Sequence, residues 1–358
     1  MDITINATEK LCHNVALSYS LACNAQCAHC SVWADPKSRL KLGLDKAIEC
    51  VSDAGEFGIN VIALTGGEPT VYLRDLYEFM EYGHKHRGMQ YSITTNSQWA
   101  RTPEKARDVA RSLVDRGLIH MRMSADSYHQ QYVPIERVVN AVEASLACGV
   151  TTRVDVVMRR RDAESVKIWN TFKKYPIELG VQALAPKGRA LDNYDEKDFP
   201  TTSLQAIRLG SCRQAGEVLI HSDGYVSLCC NVERDATGSP KNKEMSPFVL
   251  GNVHRERLAT ILERNERSPI SRIIRYEGPY GIYKLLIHYF KDELEIPLQA
   301  RYPNPCVLCD DLLSSPDLIP WIVSAAERFA HDYGDGLAAW SPGNSEFIQS
   351  GVCAGDQI

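Results

Sequence analysis

Cys23, Cys27 and Cys30 stand in a Cys-x3-Cys-x2-Cys run near the start of the chain. Three thiolates on one short loop can bind three irons of a cubane cluster and leave the fourth iron without a protein ligand. A cluster used only for electron transfer normally takes four cysteines. The missing ligand suggests an open position for a substrate or cofactor, by the logic of an open catalytic zinc site. The same spacing admits a zinc site completed by His29 or His13, or a chance grouping.

A second motif follows one strand and one helix later, at Thr65-Gly66-Gly67-Glu68-Pro69. Paired glycines let the backbone lie against a ligand. Glu68 and the nearby carbonyls can accept hydrogen bonds from an ammonium group. Alone, the segment reads equally as a strand-to-helix turn. Placed after the cysteine loop, it resembles the radical S-adenosylmethionine superfamily, and the resemblance covers roughly Asn14 to Ala190.

That resemblance implies a [4Fe–4S] cluster on Cys23, Cys27 and Cys30, with S-adenosylmethionine on the open iron. The Gly66-Gly67-Glu68-Pro69 segment would hold its amino group. One electron then cleaves the sulfur–C5′ bond, and the 5′-deoxyadenosyl radical takes a hydrogen atom from an unreactive C–H bond. His29 stands where many members carry an aromatic residue before the third cysteine. Asn96, after the third strand, and Ser124 with Asp126, after the fourth, lie where cofactor carboxylate and ribose contacts usually sit in this family. Helix N-capping is open to each of them. His129, Tyr132 and Arg189 are candidates for the substrate face, with structural roles as the expectation.

A second cysteine group reads Cys212-x11-Gly224-x4-Cys229, then Cys306-x2-Cys309. A hairpin supplies the first pair and a Cys-x2-Cys turn the second, enough ligands to close a site. Without context zinc would be favoured. In context the group resembles the SPASM and twitch auxiliary-cluster extensions, and Leu250 to Glu263 is similar to the region after their hairpin. Only Cys353 follows Cys309, so the resemblance implies the shorter twitch form with a single auxiliary [4Fe–4S] cluster. Cys230 is a spare thiol beside Cys229: a substitute ligand, a hydrogen-atom donor, or a packed side chain, the last being favoured.

A closed auxiliary cluster suits net oxidation, by dehydrogenation or cross-linking of a peptide or small natural product. The alternative is a radical epimerase in which Cys230 returns the hydrogen atom. An alternative of another class is a zinc-stapled, non-catalytic binding module, which leaves the Gly-Gly-Glu-Pro segment unexplained. The electron donor implied by the family is a flavodoxin or ferredoxin. The short stretch before Cys23 leaves no room for the leader-binding domain of many peptide-modifying members.

These residues need a scaffold, and the hydrophobic pattern supplies one. Strand-like runs at 15–21, 60–65, 91–95, 118–124, 152–158 and 180–185 alternate with amphipathic helix patterns. Strands spaced by such helices imply right-handed crossovers and a parallel sheet. Six units predict an α/β fold: a partial (β/α)6 TIM-like barrel with a smaller C-terminal α+β iron–sulfur domain. The motifs follow strands, where such folds place their sites. The expected division is 1–205 for the barrel, 206–340 for the auxiliary domain and 341–358 for a tail. Helix patterns are expected at 271–290, broken near Gly278-Pro279, and from Leu318 to Ala330.

The chain has 358 residues, 44% of them hydrophobic and 24% charged, the balance of a globular protein with a substantial core. A net charge of −5 gives no broad attraction to nucleic acid or anionic lipid. No secretory start or membrane-length apolar run is visible. The expectation is a cytoplasmic location, where twelve cysteines stay reduced or hold metal. No nucleic-acid or membrane partner is expected.

Overall fold

A computed structural model describes residues 10–208, 210–212, 215–229, 234–240, 243 and 246–333. Six strands, β1 (Asn14–Ser18), β2 (Val61–Thr65), β3 (Gln90–Thr95), β4 (Leu118–Ser124), β5 (Thr151–Met158) and β6 (Glu178–Ala183), lie side by side in chain order. All neighbouring pairs among them are parallel. The connecting helices are α1 (Leu44–Glu56), α2 (Leu73–Arg87), α3 (Pro103–Val114), α4 (Ile135–Ala147) and α5 (Ala163–Phe172). This is the parallel α/β order that the alternating pattern predicts for a partial (β/α)6 barrel.

Local chemistry sets the element ends. Thr102 caps α3 by accepting from Lys105 N, with Pro103 as its first residue. α2 stops at Gly88, which is left-handed at φ 63°, after the basic run His84 to Arg87. Apolar strand residues such as Leu17, Leu64, Ile93, Met123 and Val156 pack with Val51, Phe79, Leu113 and Val142 from the helices. Because the strands are parallel, the cysteine loop, the Gly-Gly-Glu-Pro segment, Asn96 and Ser124 all emerge at one end of the sheet.

The C-terminal part joins this same sheet. The strand Glu217–Ile220 pairs in parallel with β1, Leu17 facing Ile220. Its hairpin partner Tyr225–Ser227 and then Val249–Asn252 extend the sheet to nine strands. Helices Leu258–Arg267, Pro269–Phe290, Pro305–Leu313 and Ile319–Tyr333 follow. The second is broken where predicted, Gly278 being non-helical at φ 65°, ψ −171°. One expectation is corrected: Cys306 and Cys309 stand not on a turn but in the helix Pro305–Leu313, which Asn304 caps by accepting from Cys306 N and Val307 N. No described helix is long and apolar enough to cross a membrane.

Candidate active site

Cys23, Cys27 and Cys30 line one cavity of about 400 Å³, together with Thr65 to Glu68, Asn96, Ser124 and His129. That volume lies within the range of small-molecule and cofactor sites. No disulfide joins the described cysteines. His29 lines the cavity as well. His13 does not, since it precedes β1 while the cysteine loop follows it, so a zinc site completed by His13 is excluded.

The glycines line that cavity, as the motif suggests, and have a second reason as well. Gly67 N donates to Ser20 O at 2.8 Å, and Glu68 N to Ala22 O at 2.9 Å. A Cβ on Gly67 would lie 2.2 Å from Ala22 O, and one on Gly66 2.5 Å from Ser20 O. Both side chains are missing so that this segment can bond edge-on to the chain entering the cysteine loop. The two motifs are thereby held in one register.

Glu68 is buried, with a carboxylate already committed to the protein. Oε1 accepts from Thr70 N, Thr70 Oγ1 and Thr95 Oγ1, and Oε2 from Asn96 N at 2.7 Å. Burial nevertheless pushes its pKa up, against these donors. Its evident work is to orient Asn96, whose Nδ2 donates to Asn24 Oδ1 at 2.9 Å and lies 3.7 Å from Cys23 Sγ.

Asp126 departs from expectation. It is fully buried and outside the cavity wall. Its Oδ1 accepts from Tyr128 N, His129 N and His129 Nδ1, and its Oδ2 from Val157 N. The carboxylate therefore shapes the loop after β4 and aims His129, leaving Ser124 and His129 at the wall. Burial alone would raise the Asp126 pKa, but His129 holds it well below the usual range. Asp126 in return raises that of His129, against the effect of burial.

His29 stacks on Tyr128 at 4.5 Å between ring centroids and meets His129 edge-on at 4.9 Å. Burial, with His129 adding, lowers its pKa to about 4, so a neutral ring fills the aromatic position. Its Nδ1 has no hydrogen-bond partner. Tyr132 and Arg189 serve the cysteine loop itself: Tyr132 Oη donates to Gln26 O, and Arg189 to Cys27 O and Ala34 O. Arg189 N also donates to Cys30 O at 3.0 Å.

The second thiol set is assembled too. Cys212, Cys229, Cys306 and Cys309 line one small cavity walled by Phe248, Ile274 and Pro279. Burial pushes the Cys309 thiol well above its ordinary value, and the other thiols add to it. In the barrel set burial likewise raises Cys23 to about 12, with Glu68 next in effect. Such thiols carry protons at neutral pH, so a metal binding here must displace them. The cap at Asn304 puts Cys306 at a helix N-terminus, where the dipole favours a thiolate. Cys230 lies outside the described residues. Both sets suit iron–sulfur clusters by donor type, convergence and burial.

Lys187 and Asn304 escaped the sequence reading. Both line the larger cavity, and both connect to the helix that carries Cys306 and Cys309. Their only sequence signals are a lysine after β6 and an Asn-Pro helix start.

A family model for the radical SAM superfamily matches residues 17–166, and one for the SPASM iron–sulfur cluster-binding domain matches 212–279. The second match contains Cys212 and Cys229 and ends before Cys306. YydG of Bacillus subtilis (strain 168), named for peptide biosynthesis, is 22% identical over 333 residues, 89% of this chain and 97% of its own. Mycofactocin maturase MftC of Mycolicibacterium smegmatis is 25% identical over 228 residues, 61% of this chain and 55% of its own. A solved structure of anSMEcpe with bound AdoMet is 16% identical, with a TM-score of 0.48 over 71% of this chain and 81% of that one.

Proposed function

Because the chain belongs to the radical S-adenosylmethionine superfamily and carries a SPASM-type domain, we propose that it modifies a peptide by hydrogen-atom abstraction. The observation that carries this reading is the cavity shared by Cys23, Cys27, Cys30, Gly66 to Glu68, Asn96 and Ser124. A peptide is favoured because YydG, similar along nearly its whole length, is named for peptide biosynthesis. When bound, the [4Fe–4S] cluster and S-adenosylmethionine supply a 5′-deoxyadenosyl radical able to attack an unactivated C–H bond.

The protein's own share is positioning. Cys23, Cys27 and Cys30 would hold the cluster, and Arg189 and Tyr132 fix the backbone of their loop. Asn96 and Ser124 line the cavity that would take the cofactor, with Glu68 fixing Asn96 from behind. His29, stacked on the buried Tyr128, forms part of the cavity wall. Cys212, Cys229, Cys306 and Cys309 would hold one auxiliary [4Fe–4S] cluster, four thiols being enough to complete its ligation. Such a cluster would supply an electron acceptor, which favours net oxidation, with a flavodoxin or ferredoxin as the external partner. A second reading rests on Cys230. The auxiliary set closes without it, leaving a thiol beside Cys229 able to return a hydrogen atom, which is epimerisation.

Anaerobic reconstitution should give about eight irons per chain, two cubanes' worth. Reduction with S-adenosylmethionine should then release 5′-deoxyadenosine, and Cys27→Ala should abolish the release. Full iron without cleavage would sink the proposal. With a peptide that is turned over in deuterated water, a product short of two hydrogens and free of deuterium supports oxidation. Deuterium incorporation lost on Cys230→Ala supports epimerisation.

A further inference from the structure

A lysine charge buried between the two thiol sets needs an explanation. Lys187 is 4% exposed and pairs with Asp310, itself 9% exposed. Lys187 belongs to the segment after β6 and lines the larger cavity, whereas Asp310 follows Cys309 and lines the smaller one. The pair therefore spans the wall between the space for substrate and the auxiliary thiols. Burying two opposite charges gains little stability over apolar side chains of similar size. Another use for the charge is indicated.

The surroundings identify that use. Burial works against the charge on Lys187, yet Asp310, then Cys306 and Cys229, raise its pKa above the ordinary value. A permanent cation beside cluster thiolates, in a poorly screened interior, lowers the energy of an added electron. Net charge around a cluster is one of the settings of its reduction potential. Asp310 offsets part of the field and holds the ammonium in place through their ion pair.

We infer that Lys187 and Asp310 together set the reduction potential of the auxiliary cluster, Lys187 raising it and Asp310 restraining that rise. The inference rests on the auxiliary-cluster assignment above and makes both of them positioning residues. It places the adjustable charge on the side of the cluster that faces the substrate cavity, where an electron leaving a substrate would arrive.

The test uses the full chain carrying Cys23→Ala, Cys27→Ala and Cys30→Ala, in which any cluster is the auxiliary one. Potentiometric titration followed by electron paramagnetic resonance reads its midpoint, with iron counted in parallel. Adding Lys187→Met should shift the midpoint to more negative values, and Lys187→Arg should hold it near the parent. Asp310→Asn should shift it to more positive values. A merely structural pair would not give shifts of opposite sign with rescue by arginine. Unchanged midpoints in variants that retain about four irons would overturn the inference. If Lys187→Met fails to load, Asp310→Asn decides, a positive shift supporting the inference and no shift overturning it. A parent without iron or signal would instead remove the auxiliary-cluster assignment, and the inference with it.

Discussion

At the scale of single residues, the site divides into side chains whose spacing announces them and side chains whose work is tertiary. The Cys-x3-Cys-x2-Cys run was legible because three thiols on one loop are rarely placed so for packing. Gly66 and Gly67 were legible as a pair, but their second reason was not, because it lies in contact with Ser20 and Ala22 on another strand's exit. Gly67→Ala should therefore act on assembly of the loop before any effect on cofactor contact. Its Cβ would meet Ala22 O at 2.2 Å, a backbone atom that cannot swing aside. We expect a loss of about 1–3 kcal/mol, as for overpacking, with fewer irons retained after anaerobic reconstitution. A thermal midpoint and iron content equal to the parent's would refute this role. Arg189 was a candidate for the substrate face with a structural role expected, and it both lines the cavity and holds Cys27 O and Ala34 O.

At the scale of elements, strands and helices from β1 to α5 follow the hydrophobic pattern, because each βα unit is local and its period is clear. The helix Pro305–Leu313 was missed, since a nine-residue helix begun by Asn-Pro and carrying two cysteines resembles a metal-binding turn. Its start depends on Asn304, which caps the helix and also lines the larger cavity. Asn304→Ala should cost about 1 kcal/mol, the usual value for a lost cap. The loss should fall on the auxiliary set, because Cys306 N is one of the groups left unbonded. Iron should drop from about eight toward about four per chain, while 5′-deoxyadenosine release without substrate persists. Asn304→Asp, which keeps the acceptor, should retain both clusters. Equal iron in Asn304→Ala and the parent would argue that the helix needs no such cap.

At the scale of the whole molecule, the barrel thiols and Cys229 of the auxiliary set hang from one sheet. Cys23 follows β1, Cys229 follows the hairpin, and β1 pairs directly with the hairpin strand Glu217–Ile220. About two hundred residues separate those strands in the chain, so no local pattern could have announced the pairing. The seam has a titratable group at its end. His221 is fully buried, with Nε2 2.8 Å from Ser227 Oγ, which in turn donates to Cys229 O. Burial, with Arg234 adding, pushes its pKa well below the ordinary 6.5. The unfolded chain therefore takes up a proton as pH falls through about 6.5, while the folded chain does not. Stability tied to His221 is present above that pH and is lost as pH falls below it, down to the folded-state pKa. Between pH 7.5 and 5.5 the loss for this one group is at most about 1.4 kcal/mol. Urea unfolding of the parent and of His221→Gln at both pH values isolates it, because other titrating groups are common to the two chains. The parent should lose more stability on acidification than the variant, by up to that amount. Identical losses would mean that His221 is charged in the folded seam, and that the junction between the thiol sets tolerates a buried cation.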